Sequence, residues 1–134
     1  MLDVDELVSR EEFYSSDCIF IKGSGLFGYR LENNNFIFDS EIHIDEDNLT
    51  DIFANFSSEY NDAVYVGGEA SSHGSCGFFY KKKNECIDWL LMSSESDPFV
   101  NVIFDKGSIS FLSSSGYAWV VSNDDILSVK IIKP

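Results

Sequence analysis

The sequence predicts an α+β fold, an antiparallel β-sheet meander of about 6–8 strands with one main helix at residues 48–59 and a short N-terminal helix. Three observations carry this expectation. After residue 63, short runs rich in β-branched and aromatic side chains are separated by turn sequences. Leu49, Ile52, Phe53 and Phe56 fall at i, i+3, i+4 and i+7, the apolar stripe of a helix lying on a core. Only 2 prolines occur, and no Ser/Gly linker separates two patterned regions, so residues 1–134 read as one domain.

The N-terminal stretch places Leu2, Leu7, Val8 and Phe13 among acids with loose helical spacing, which predicts the short helix. Residues 17–22 read as a strand stopped by Gly23-Ser24-Gly25. A second strand at residues 36–38 follows Asn33-Asn34-Asn35, and a third is expected at residues 41–44. Asp47 or Asn48 then caps the main helix, and Asp45, Glu46, Asp47 and Asp51 crowd its N-terminal end, where the macrodipole favours negative charge.

Strands follow at residues 63–66, ended by Gly67-Gly68, and at 77–82 and 85–92 around Lys83-Asn84. Residues 99–105 and 108–113 flank Lys106-Gly107, and residues 117–122 and 127–132 flank the Asn123-Asp124-Asp125 turn. In residues 99–105, alternation gives Val100, Val102 and Phe104 the apolar face.

Charge bounds the partner. The net charge is −14, and residues 1–62 carry 15 acids against 3 bases, a net of −12, while the remainder is nearly balanced. A field of one sign repels nucleic acid, anionic membrane and nucleotide, and attracts cations. The 20 aromatics exclude a disordered acidic tail. No stretch approaches a secretory signal or a membrane span, and three cysteines without a CxxC pair suit a reducing compartment, so a cytoplasmic protein is expected.

Chemical motifs are weak. Residues 69–77 bring Glu69, His73 and Cys76 into one small-residue loop, so a small cysteine hydrolase using Cys76 and His73 is an alternative. Catalytic partners usually converge from separate elements, however, and the expectation is that the protein is not an enzyme. His73-x-x-Cys76 is a single ligand pair that His43 and Cys86 do not complete, so no metal or cofactor is expected. Gly23 to Gly28 match G-x-G-x-x-G, but no parallel βαβ pattern follows. Lys81-Lys82-Lys83 reads as a solvated hairpin tip.

A cationic protein is therefore the expected partner. The candidate contact residues are Asp45, Glu46, Asp47 and Asp51, with Glu11, Glu12 and Glu69 and the aromatic Tyr60 as an anchor; Asp3, Asp5, Glu6, Tyr14 and Phe27 lie in the same acidic region. Carboxylates at matching positions can occupy the Lys/Arg surface that a nuclease presents to phosphate. The short, acidic, aromatic-rich chain, with Tyr117-Ala118-Trp119-Val120-Val121-Ser122 and Ile126-Leu127-Ser128-Val129-Lys130-Ile131-Ile132 at its end, resembles the immunity proteins of bacterial contact-dependent growth inhibition and related polymorphic toxin systems. That resemblance implies tight 1:1 binding of one cognate toxin domain, often a nuclease, made by the same cell. An acidic DNA-mimic inhibitor of a nucleic-acid-binding protein is a further alternative with the same electrostatics.

Overall fold

Four residue pairs, Asn33-Asn34, Asn61-Asp62, Asn84-Glu85 and Asn123-Asp124, have positive φ at both positions, between 49° and 65°. Such pairs make the tight turn whose twist matches antiparallel strands, and Asn tolerates this backbone better than most residues. Each pair joins two consecutive strands in the computed structural model, which describes residues 3–38, 44–71 and 76–134.

The helix among the described residues is α1 (Val4–Ser9). The strands are β1 (Glu12–Tyr14), β2 (Cys18–Ile21), β3 (Gly25–Gly28), β4 (Arg30–Glu32), β5 (Asn35–Ile37), β6 (Leu49–Tyr60) and β7 (Ala63–Ala70). They continue with β8 (Cys76–Lys83), β9 (Cys86–Ser93), β10 (Phe99–Asp105), β11 (Ser108–Ser113), β12 (Ala118–Ser122) and β13 (Asp125–Ile132). A curled seven-stranded sheet has the order β1-β6-β7-β8-β9-β2-β3. A second sheet runs β10-β11-β12-β13, and β4 and β5 form a separate hairpin. All these pairings are antiparallel.

The α+β expectation is thereby corrected to a nearly all-β fold. The main helix expected at residues 48–59 is strand β6, 12 residues long. Its helical spacing has a local cause. The register with β7 shifts between Ala54 and Phe56, so Phe53 pairs with Glu69 and Phe56 with Gly67, on the same face although three positions apart. A bulge inside a strand thus imitates one side of a helix. The expected N-terminal helix is the six-residue α1, whose cap Asp3 accepts the Asp5 N–H at 2.9 Å. Of the strand expected at 41–44, residues 41–43 lie outside the described residues.

Gly67 and Gly68 do not end β7, which runs through both to Ala70. They make room instead. A Cβ on Gly67 would sit 2.5 Å from the Phe56 ring, and one on Gly68 would overlap the Phe53 carbonyl. Side chains at these positions are excluded by the close passage of the bulged β6.

The seven-stranded sheet is buried on both faces. Its inner face contributes Ile19, Tyr65, Phe79, Trp89 and Leu91 to a core completed by Phe99, Phe111, Trp119 and Val121 of the second sheet. Phe79 and Phe111 stack across the interface with ring centroids 3.9 Å apart, and Phe99 meets Trp119 edge-on at 5.4 Å. The outer face packs Phe13, Ile52, Val66, Phe78, Leu90 and Met92 against Val4 and Leu7 of α1. Tyr29, fully buried, donates its hydroxyl to the Met92 carbonyl at 2.7 Å. Burial first, and the charge of Asp17 second, push its phenol well above the ordinary tyrosine range.

In β10 the register shifts between Phe99 and Asn101, which turns Val100 into solvent. The apolar face expected from Val100, Val102 and Phe104 is therefore broken at its first residue. β10 pairs with β11 alone and stands at the edge of its sheet. Two backbone groups of this edge region are engaged by asparagines: Val102 N–H donates to Asn101 Oδ1 at 2.8 Å, and Asn55 Nδ2 donates to the Phe99 carbonyl at 3.1 Å.

Candidate partner-binding surface

Residues 1–62 do not form a separate acidic layer. Their strands interleave with the later ones, because β2 pairs with β9 and β6 with β7. Several acids are occupied in holding this arrangement: Asp5 Oδ1 accepts the Ile87 N–H at 2.7 Å, and Asp17 Oδ1 accepts the Ser94 N–H at 2.6 Å.

Strand register assembles the exposed acids. Glu12 on β1 pairs with Asp51 on β6, Phe53 pairs with Glu69 on β7, and Glu69 pairs with Gly77 on β8. Direct partners share a face, and residues two apart on a strand share one as well. Glu12, Asp51, Phe53 and Glu69 therefore form one group, while Thr50 and Ile52 between them are buried on the opposite side. Phe53 is 47% exposed at the centre of this group. Among the described residues, the side chains of Asp51 and Glu69 make no hydrogen bond or ion pair. Glu12 is held by Arg10, with Oε1 2.8 Å from the guanidinium Nη2.

The other expected contact residues are distributed around this group. Glu11 is exposed with φ at 60°, and its carbonyl takes the Ile52 N–H at 2.9 Å. Asp45, Glu46 and Asp47 form an exposed turn leading into β6, shaped by Asp45 Oδ1 accepting the Asp47 N–H at 3.1 Å. They cap no helix; the dipole argument falls with the helix itself. Tyr60 lies nine positions beyond Asp51 on the same strand, roughly 25–30 Å away at strand rise, and stacks on Phe104 at 4.4 Å. The structure does not bring it to the acids.

Phe53 is the residue that sequence reasoning misplaced. The helical spacing put it in the core, whereas the alternation of Thr50 and Ile52 against Asp51 and Phe53 carried the signal that it lies on the sheet face opposite Ile52, beside the acids, where it is half-exposed.

At the opposite end of the sandwich, Lys81 is buried and not part of a solvated hairpin tip. Its Nζ lies 2.6 Å from Asp124 Oδ2 and 3.5 Å from Asp88 Oδ2, and Trp89 Nε1 donates to Asp124 Oδ1 at 3.2 Å. The β12–β13 turn is thereby clamped to the large sheet. Burial pushes the Lys81 ammonium down, but the Asp124 hydrogen bond and the surrounding Tyr65, Asp124 and Asp88 groups outweigh it, and its pKa is raised.

The chemical alternatives are placed as follows. Cys76 is 1% exposed on the α1 side of the large sheet, and its expected partner His73 lies outside the described residues, as does His43. Among the described residues, no group of three or more His, Cys, Asp or Glu is placed to hold a metal ion. The glycine run at residues 23–28 enters edge strand β3 and no helix. No helix among the described residues is long and apolar enough to cross a membrane. Comparison with protein-family models, curated proteins and solved structures returned no match to this chain.

Proposed function

We propose that the protein is an immunity protein, a non-catalytic cytoplasmic inhibitor that binds a cognate basic toxin domain of nuclease type in a 1:1 complex. The observation that carries this reading is the half-exposed Phe53 flanked by the carboxylates of Asp51 and Glu69, which have no partners among the described residues. An interface needs both an aromatic anchor, which supplies most of the affinity once desolvated, and charges around it that steer and orient. A net charge of −14 draws in a basic domain, and the carboxylates then take the Lys and Arg groups that a nuclease would offer to phosphate.

The test is titration calorimetry and stopped-flow association with the cognate basic toxin domain. Phe53→Ala should weaken binding by about 30-fold, chiefly through faster dissociation. The Asp51→Lys/Glu69→Lys double variant should slow association and flatten its salt dependence. Both variants should melt within ~0.5 kcal/mol of the wild type, because the changed side chains are exposed. Unchanged affinity in both variants would remove this face as the contact.

A further inference from the structure

A cavity of about 340 Å³ opens between the β4–β5 turn, the chain linking β9 to β10, and the second sheet. Its walls include Asn33, Asn34, Glu95, Asp97, Tyr117 and Trp119. We propose that this cavity binds a guanidinium group, presented by an arginine side chain of the partner. The arginine's belonging to a toxin rests on the function proposed above; the affinity of the cavity for the cation does not.

Charge selects the sign of the ligand. Glu95 and Asp97 line the cavity without a lysine or arginine beside them, and neither carboxylate makes a hydrogen bond or ion pair among the described residues. An anion would meet two unopposed charges. A guanidinium brings five N–H donors and no acceptor, which matches carboxylates and the amide oxygens of Asn33 and Asn34.

Shape and rigidity favour arginine over lysine. Half-buried Tyr117 gives the cavity an aromatic wall, with Trp119 at its base, against which a planar, weakly hydrated guanidinium is better placed than a compact ammonium. Trp119 is 3% exposed and wedged edge-on against Phe36 at 5.5 Å and Phe99 at 5.4 Å, so the base is fixed. The volume lies at the lower end of small-ligand sites and suits one side chain.

The acidic wall is also built in advance. Ser93 Oγ accepts the N–H groups of Glu95 at 3.1 Å and Ser96 at 3.2 Å, and the Ser94 N–H is held by Asp17. The same segment lies directly on Gly77: a Cβ there would be 2.6 Å from Ser96 Oγ and 2.8 Å from the Asp97 carbonyl. The segment carrying the acidic wall thus lies over Gly77 of β8, whose strand partner is Glu69 of the Phe53 group.

The experiment titrates the full ¹⁵N-labelled chain with N-acetyl-arginine methylamide and follows the Trp119 indole N–H signal, assigned by comparison with W89F. The neutral isostere N-acetyl-citrulline methylamide is the control. The expected result is a saturable shift with the arginine compound, at least about tenfold weaker binding in the Glu95→Gln/Asp97→Asn double variant, and no saturable shift with citrulline. Absence of a saturable shift, equal binding of citrulline, or undiminished binding by the double variant would each overturn the proposal. No toxin enters this titration, so its result stands apart from the calorimetry: a chain that binds arginine here while the Phe53 and acid variants leave toxin binding untouched keeps the cavity and loses the proposed function.

Discussion

Replacing Asp124 by alanine should cost about 2–3 kcal/mol of folding stability, and the structure supplies the terms. One is the charge-assisted bond from Lys81 Nζ at 2.6 Å. Such bonds contribute about 1.5–3 kcal/mol, and with the Asp124 side chain 54% exposed the lower end applies. The second term is Trp89 Nε1, which loses its acceptor inside the sandwich, about 1 kcal/mol more. Asp88, 3.5 Å from the same ammonium, keeps Lys81 from being stranded and limits the loss. Urea unfolding followed by circular dichroism reads the difference directly, and for a chain of this size it corresponds to a fall in Tm of about 8–12 °C. A double-mutant cycle with Lys81→Met should return a coupling of about 1–2 kcal/mol. The pH dependence has a definite sign. A lysine whose pKa is raised by folding gives its full stabilisation below the ordinary lysine value and loses it as the pH climbs through the raised one. The deficit of the variant should thus be constant around neutrality and shrink only in strongly alkaline solution. A loss below ~0.5 kcal/mol, or strict additivity in the cycle, would show that the clamp contributes nothing to stability.

Gly68→Ala should lose about 3 kcal/mol or more, because the added methyl meets the backbone of Phe53 and Ala54, and amide exchange should rise along residues 52–56; a melting temperature equal to the wild type would refute the close passage of β6. Cys18 is fully buried, and burial followed by the Asp17 charge pushes its thiol far above the ordinary range. At pH 8 iodoacetamide should leave it unmodified in the folded chain while half-buried Cys86 reacts, and mass spectrometry showing equal labelling in folded and urea-unfolded protein would contradict this.

Most strands after residue 63 were legible because their turns are. Residues 99–105 and 108–113 appear with the expected bounds, as β10 and β11, flanking a glycine with φ of 78°. Where backbone register departs from strict alternation, the pattern misleads. The bulge in β6 gave Phe53 and Phe56 the spacing of a helix, and the one at Val100 exposed a residue whose neighbours assign it to the core. Gly67-Gly68 look like a stop signal, yet their reason is the approach of a strand distant in the chain, which local sequence does not encode. The same limit applies to the candidate surface. Composition identifies the acids, but only register reveals that Asp51 and Glu69 share a face with Phe53 and that Tyr60 stands apart.

The engaged edge of β10 bears on how such a chain can change over time. A strand laid against this edge would find the Val102 N–H and the Phe99 carbonyl already taken. Attraction between main chains is indifferent to side-chain identity, so an open edge would accept many partners and resist retuning. Closing these positions leaves recognition to side chains on exposed faces, where single substitutions alter affinity without disturbing the hairpins beneath. On the function proposed above, the scaffold can then stay constant while substitutions on its surface retune what it binds.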